Sequence, residues 1–225
     1  VKDPFGIRPL VLGDKNGSPV LASETCALDM IGAKYVRDIE NGEIVVITES
    51  GMESIKPFKK IAERPCIFER IYFASPDSIV GNKTVYTYRK ALGEQLAIEN
   101  NIIADVVVPI PDSGVSAAIG FSQKSKIPFE LGIIRSHYVG RTFIEPSQTI
   151  RQFGVKLKHS VNRSCIENKK VILIDDSIVR GTTASKIVKM VYEAGAKEVH
   201  LGISCPPILH PDFYGIDTPN YNQLI

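Results

Sequence analysis

The stretch VILIDDSIVRGTT, residues 171–183, constrains the fold more than any other part of this sequence. Its four consecutive apolar residues are typical of a strand that is buried on both faces, as in a parallel sheet. Asp175 and Asp176 follow the run, and then Ser, Arg, Gly and Thr residues lead onward. In open α/β sheets, ligands bind beyond the carboxyl ends of the strands. The stretch therefore predicts an α/β fold with a binding site beside the two acids.

The residues after this loop have the periodicity of an amphipathic helix near 182–194. Apolar side chains recur at i, i+3, i+4 and i+7, and these are Ala184, Ile187, Val188 and Val191. Gly195 is placed to end the helix. A true helix N-terminus is therefore expected directly after the loop.

Two regions of the chain have different patterns, which predicts two domains, 1–62 and 63–225. The first region has the pattern of antiparallel strands, with the turn DKNGS between PLVLG and PVLASE. A second strand-turn-strand pattern follows in KYVRDIENGEIVVIT. Cys26 of this region lies in a strand-like segment. From Cys66 onward strands alternate with helices: CIFERIYFA, a helix near 83–99, DVVVPI, a helix near 115–123, IPFELGIIR, KKVILI, and EVHLGIS after the helix described above. This alternation predicts βαβ units and a parallel sheet with helices on both faces, and IKPFKKIAERP is the expected linker.

Composition favours a globular protein of the reducing cytoplasm. Hydrophobic residues make up 44% of the chain and charged residues 23%, and no apolar run approaches the roughly 20 residues of a membrane span. No secretion signal precedes the first strand, and the four cysteines form no CxxC pair. We therefore expect no membrane, no disulfide framework and no zinc ribbon.

Residues 140–168 have no clean periodicity, and we interpret them as a long irregular loop followed by a short strand. Between 135 and 170 there are eight Lys or Arg residues against two Glu residues. This balance indicates either an anionic partner or a solvated basic loop. Loops of such length inside compact domains are usually functional or mobile.

The two acids and the following loop suit a ligand that carries both hydroxyls and phosphate. Free N–H groups and the dipole at a helix N-terminus favour phosphate, and Gly181 allows the backbone to approach closely. Carboxylates repel phosphate, so their expected partners are sugar hydroxyls or a hydrated divalent cation. These requirements together describe a ribose 5-phosphate unit. The structural alternative is that Asp176 or Ser177 caps a turn and Thr182 caps the helix.

A second loop, PDSG at residues 111–114, follows the apolar run DVVVPI. Taken alone it is an ordinary turn. Beside the first loop at one sheet edge, Ser113 and its small neighbours would form a second anion site.

These motifs resemble those of a known family. VILIDDSIVRGTT resembles the phosphoribosyl pyrophosphate (PRPP) loop of type I phosphoribosyltransferases, and HYVGRTFIEPSQTIR, residues 137–151, resembles the flexible loop of glutamine PRPP amidotransferases. DPFGIRPLVLG, ASETCALD and FYGIDTP extend the resemblance over nearly the whole chain. It implies a type I phosphoribosyltransferase fold, preceded in residues 1–62 by the β-rich tail of an Ntn-type glutaminase domain.

The resemblance also implies a reaction and the residues that perform it. Ammonia derived from glutamine would displace pyrophosphate from PRPP to give 5-phosphoribosylamine, the first step of de novo purine synthesis. The resemblance assigns Tyr138 and Arg141 to catalysis in the closing loop. It assigns substrate binding to Arg135, Asp175, Asp176, Ser177, Arg180, Gly181, Thr182 and Thr183. It assigns Mg²⁺ to Ser113, Asp175 and Asp176. Purine nucleotides are implied as inhibitors, a homo-oligomer is implied, and nucleic acid is not a partner.

The sequence departs from the family pattern in three places. Arg135 stands where members commonly have Lys, which keeps the charge but changes its geometry. Some members bind a 4Fe–4S cluster, and Cys66 matches the first ligand, but Asp212 stands at the second, so we expect a buried thiol and no cluster. The nucleophilic N-terminal cysteine of the glutaminase is not among these residues, and Cys26 is no substitute. We therefore expect this chain alone not to hydrolyse glutamine.

Two other functions stay open from the sequence. A purine-salvage phosphoribosyltransferase would need a base pocket and leaves residues 1–62 unexplained. A PRPP-binding regulator would bind the ligand without turnover.

Overall fold

The computed structural model describes residues 1–136, 159–179, 181–216, 218 and 220–224. The described chain forms two compact units. The first comprises Val1–Tyr88 with Pro211–Pro219, and the second Arg89–His210 with Asn220–Ile225. The division of the sequence at residue 62 into two family domains stays a prediction.

The first unit is mainly antiparallel. Its elements are β1 (Val11–Lys15), β2 (Ser18–Ala22), α1 (Thr25–Ile31), β3 (Lys34–Asp38), β4 (Ile44–Thr48), β5 (Gly51–Ile55), a π-helix (Glu69–Phe73), β6 (Ile79–Val80) and β7 (Lys83–Thr84). The order β2-β1-β3 forms one sheet, and β4 pairs with β5. The predicted hairpin across DKNGS is confirmed, with Lys15 opposite Ser18.

The strand-turn-strand pattern predicted for KYVRDIENGEIVVIT is confirmed as β3 and β4, which pair with β1 and β5 and not with each other. Two predictions for the first unit are wrong. Cys26 lies in α1 and not in a strand. The segment CIFERIYFA forms the π-helix, although its β-branched and aromatic residues suggest a strand.

The second unit contains the predicted parallel sheet. Its elements are α2 (Val85–Glu99, which begins in the first unit), β8 (Val106–Pro109), α3 (Val115–Ser125), β9 (Ile133–Arg135), β10 (His159–Val161), α4 (Arg163–Ile166), β11 (Lys170–Asp175), α5 (Thr182–Glu193), β12 (Glu198–Ile203) and a 3-10 turn (Tyr221–Gln223). The order β12-β11-β8 is parallel throughout. The helices predicted near 83–99, 115–123 and 182–194 are confirmed as α2, α3 and α5.

The central strand explains why helices cover both faces of this sheet. Val171 and Leu173 pack into one apolar cluster with Ile187 and Val191 of α5. Ile172 and Ile174 point the other way, into a cluster with Phe121 and its neighbours on α3. Alternate side chains of a strand face opposite sides, so a strand that is apolar at every position needs a helix on each side.

The segment IPFELGIIR is a strand only at its end. β9 begins at Ile133 and pairs antiparallel with β10, not with the parallel sheet. Upstream, Phe129 forms a single parallel bridge beside Val107, where the Val107 N–H donates to the Pro128 carbonyl at 2.8 Å. Pro128 and Gly132 interrupt the run, since proline lacks a ladder donor and glycine weakens a strand. Within the described part of the chain, no helix is both long and apolar enough to cross a membrane.

Candidate functional site

The candidate site lies where β11 ends, at the carboxyl edge of the parallel sheet. Asp175 is the last residue of the strand, and Asp176 after it is only 5% exposed. The neighbouring strand end holds both backbones: the Ser204 N–H donates to the Asp175 carbonyl, and the Cys205 N–H donates to the Asp176 carbonyl, each at 3.0 Å. The two acids therefore sit on a fixed backbone and not on a free loop.

Burial and mutual repulsion affect the charge of the acid pair. Burial raises the pKa of Asp175 to about 7, and the charge of Asp176 beside it acts in the same direction. The Asp176 N–H donates to Asp175 Oδ1 at 2.9 Å, and the Ser177 hydroxyl donates to Asp176 Oδ1. A buried carboxyl pair of this kind is stabilised by hydroxyl donors or by a cation, which are the partners expected from the sequence.

Burial also raises the pKa of the Cys205 thiol to about 11, with smaller contributions from the charges of Asp176 and Asp175. The thiol therefore stays protonated beside the acids at neutral pH. Sequence reasoning gave Cys205 no place near the site, because its position depends on the parallel register of β11 and β12.

The loop after the acids leads directly into a helix N-terminus. Gly181 adopts a left-handed conformation, with φ of 67°, and occupies the N-cap position of α5 without a side-chain cap. Thr182 and Thr183 follow as the first helical residues and are exposed. The first N–H groups of a helix have no acceptor within the helix, so this turn suits an anion. The alternative in which Thr182 caps the helix is wrong, because Gly181 is the cap.

The PDSG loop reaches the same edge of the sheet. The Ile110 N–H donates to the Ile174 carbonyl at 2.9 Å, one residue before Asp175. A Cβ at Gly114 would lie 2.3 Å from the Ile174 carbonyl oxygen, so only glycine permits this approach. The structure therefore brings the Ser113 loop against the end of β11. Sequence reasoning did not single out Gly114, whose importance appears only when the two loops are packed together.

Arg135 joins the site through this second loop. It is the last residue of β9, and its Nη1 donates to Asp112 Oδ2. The predicted residues Tyr138, Arg141 and Arg180 lie outside the described part of the chain. The structure thus places Ser113, residues 175–179 and residues 181–183 at one sheet edge, with Arg135 tied to it through Asp112.

The surroundings of Cys66 offer no cluster site. Burial raises the pKa of its thiol, and Gly215 packs so closely that a Cβ there would lie 2.3 Å from Sγ. Asp212 is engaged in its own turn, where its Oδ1 accepts from the N–H groups of Tyr214 and Gly215. Among the described residues, no group of three or more His, Cys, Asp or Glu side chains is arranged to bind a metal ion. The residues around Cys66 thus do not fit a 4Fe–4S cluster.

Comparison with known proteins identifies the family. The model of the phosphoribosyl transferase domain matches residues 90–210, more than half of the chain. The chain belongs to the phosphoribosyl transferase domain family.

The resemblance to amidophosphoribosyltransferases is also confirmed. Over its whole length the chain is 61% identical to an amidophosphoribosyltransferase of Rhizobium etli, and over 99% of its length it is 51% identical to one of Bacillus subtilis. It spans less than half of these relatives, 46% and 47% of their lengths. The solved structure of glutamine PRPP amidotransferase from B. subtilis, complexed with ADP and GMP, superposes with a TM-score of 0.90 over 99% of this chain and 49% of that one. The type I phosphoribosyltransferase fold expected from the sequence is therefore present.

Proposed function

We propose that this chain carries the phosphoribosyl-transfer site of an amidophosphoribosyltransferase. Ammonia would attack C1 of PRPP and displace pyrophosphate, giving 5-phosphoribosylamine. The observation that carries the proposal is the arrangement at the end of β11, where the partly buried Asp175 and the buried Asp176 lie a short loop before the first turn of α5, which is capped by the left-handed Gly181.

Each part of this arrangement has a role in the proposal. Asp175 and Asp176 accept hydrogen bonds from the ribose hydroxyls, and each such bond to a charged group contributes about 1.5–3 kcal/mol. Ser177, Gly181, Thr182 and Thr183 hold the 5-phosphate with hydroxyl and backbone N–H donors. Arg180 would add charge there. The Ser113 loop and Arg135 face the pyrophosphate side.

Mg²⁺ fits the acid pair by its chemistry. Mg²⁺ prefers oxygen ligands and is usually bound by one or two carboxylates together with substrate phosphates. Asp175, Asp176 and Ser113 would supply the protein oxygens. When bound, the ion neutralises part of the charge that develops on departing pyrophosphate.

Closure over the substrate is proposed for the segment that contains Tyr138 and Arg141. Excluding water matters because water competes with ammonia for the electron-poor C1. Basic side chains near the leaving group would stabilise its negative charge.

Partners and setting are proposed on similar grounds. The B. subtilis relative was solved with ADP and GMP. Purine nucleotides contain the ribose 5-phosphate unit that this site suits, so we propose them as inhibitors. A cytoplasmic homo-oligomer remains an expectation from the resemblance.

The test supplies ammonium directly. The glutaminase domain that the resemblance implies uses an N-terminal cysteine as its nucleophile, whereas Cys26, the one cysteine within residues 1–62, lies inside the helix α1. The protein is mixed with PRPP, Mg²⁺ and ammonium at alkaline pH, and pyrophosphate is measured. Release that depends on ammonium supports the proposal. PRPP that raises the melting temperature without release indicates a regulator, and release that depends on a purine base indicates a salvage enzyme.

A further inference from the structure

The ion pair between Arg135 and Asp112 links the two segments that face the pyrophosphate side of the candidate site. Arg135 ends β9, and Asp112 is the second residue of the PDSG loop. Arg135 Nη1 donates to Asp112 Oδ2. Arg135, which the proposed function assigns to pyrophosphate, is thus already paired with the Asp112 carboxylate of the same site.

The backbone on both sides of this pair is held by other interactions. The Val115 N–H donates to the Asp112 carbonyl at 3.3 Å, and the Gly114 N–H donates to the Ile110 carbonyl at 3.0 Å. Arg135 is in register with His159 in the β9–β10 pair. The pair of side chains is therefore not needed to fold either segment.

Because both side chains are exposed to solvent, another anion can replace Asp112 as the partner of Arg135 at little cost in free energy. The Arg135 side chain is 56% exposed and that of Asp112 is 65% exposed. Ion pairs in such solvated positions contribute about 0–1 kcal/mol. A guanidinium binds phosphate through paired N–H donors, and a polyphosphate carries more negative charge than one carboxylate.

We propose that Asp112 is an internal competitor for Arg135, which pyrophosphate must displace when it binds. The inference rests on the proposed function, and it makes Asp112 a positioning residue that acts through Arg135. By competing for Arg135, Asp112 lowers the affinity of the site for pyrophosphate and so favours release of this product.

The experiment measures the Kd of pyrophosphate by isothermal titration calorimetry at fixed Mg²⁺. The proteins compared are the wild type, Asp112→Asn, Arg135→Gln and the double variant. Asp112→Asn is expected to bind pyrophosphate 3- to 10-fold more tightly, because Arg135 is freed. Arg135→Gln is expected to bind it more weakly, and adding Asp112→Asn to Arg135→Gln should change little.

A matched control separates the local pair from net charge. Glu94→Gln removes the same charge from an exposed carboxylate, which lies 3.9 Å from Lys90 Nζ on α2. It should leave the Kd of pyrophosphate unchanged. Asp112→Ser provides a second variant, in case Asp112→Asn does not fold, and should show the same gain.

Three results would overturn the inference. Asp112 variants that bind pyrophosphate no better than wild type would show that Asp112 orients Arg135 or does nothing. An equal gain in the Arg135→Gln background would show simple charge repulsion. An equal gain from Glu94→Gln would show an effect of net charge. Ammonium-dependent turnover by the wild type tests the proposed function separately, so turnover together with any of these results would sink only this inference.

Discussion

At the scale of single residues, Asp175 and Asp176 carry an unfavourable pair of neighbouring carboxylates on a backbone that is held in place. The backbones of Asp175 and Asp176 are held by the N–H groups of Ser204 and Cys205, which directly follow β12. Burial raises the pKa of Asp175, and the charge of Asp176 acts in the same direction. Both effects disfavour the doubly charged form of the pair. Groups that bear this kind of strain cluster at functional sites.

Replacing Asp176 tests the role of the pair. Asp176→Asn keeps the shape but removes the charge that binds a ribose hydroxyl or Mg²⁺, so kcat/KM for PRPP should fall about 10- to 100-fold, in line with one charged hydrogen bond. Steady-state pyrophosphate release measures it.

Asp105→Asn is the matched control for that prediction. Asp105 lies just before β8, at the opposite ends of the strands, and its Oδ2 accepts from the Lys170 N–H at 2.7 Å. An asparagine oxygen can accept the same bond, so this variant should keep wild-type kinetics. Unchanged kinetics in both Asp175→Asn and Asp176→Asn would remove the pair from the site.

At the scale of elements, two glycines allow α2 and α3 to touch through their backbones. A Cβ at Gly93 would lie 1.8 Å from the Ala117 carbonyl oxygen, and one at Gly120 would lie 2.0 Å from the Lys90 carbonyl oxygen. The contact is reciprocal, with each helix presenting its glycine to the other. α3 begins at the PDSG loop, so this packing also fixes that loop.

We expect Gly93→Ala and Gly120→Ala to destabilise the protein. Alanine normally stabilises a helix interior by about 1 kcal/mol relative to glycine. Here the added methyl group forces the helices apart, and overpacking typically costs about 1–3 kcal/mol. Urea unfolding should therefore show a lower midpoint for both variants.

Gln95→Ala serves as the control on the same helix. Gln95 is exposed on α2 and bonds only to Glu99 one turn away among the described contacts. Its replacement should change the free energy of unfolding by less than about 0.5 kcal/mol. A Gly93→Ala protein that is more stable than wild type would show that the two helices do not make this close contact.

At the scale of the whole molecule, stability should depend on pH through a buried carboxylate far from the candidate site in sequence. Glu43 is fully buried and accepts from two nitrogens of Arg37, from the Ser54 hydroxyl and from the Glu40 N–H. The bond from Arg37, together with those from Ser54 and Glu40, lowers the pKa of Glu43 to about 2. The carboxylate connects Arg37 of β3 with Ser54 of β5, and these two strands belong to different sheets.

The lowered pKa fixes the direction of the pH effect. A carboxyl that is more acidic in the folded state stabilises the protein fully above its unfolded pKa, and this contribution is lost as the pH falls toward the folded pKa. Glu43→Gln should therefore lower the free energy of unfolding at pH 7, by about 1–3 kcal/mol for buried partners left unsatisfied. The difference in the free energy of unfolding between the wild type and Glu43→Gln should become smaller as the pH falls from about 4.5 toward 2.

Urea unfolding at several pH values measures this effect, with Glu40→Gln as the control. Glu40 bonds Lys56 at 2.7 Å, but its side chain is 64% exposed, so its loss should change stability by less than about 1 kcal/mol. A deficit of Glu43→Gln that is the same at pH 3 and pH 7 would contradict the assignment.

The sequence alone determined the parallel sheet, its covering helices and the position of the acid pair. These features follow from short-range patterns: an apolar run of strand length, a helical repeat, and polar residues at the junction between them. The β11–α5 part of the candidate site is contiguous in the chain, so no long-range information was needed to place its residues side by side.

Only the tertiary structure decided the rest. The pairing of β3 with β1, the close approach of Gly114 to Ile174 and the ion pair of Arg135 with Asp112 each join residues that are distant in sequence. Local periodicity fixes which face of an element is apolar but not which neighbour covers it. That choice depends on packing and backbone pairing across the whole unit, where competing partners differ by only a few kcal/mol.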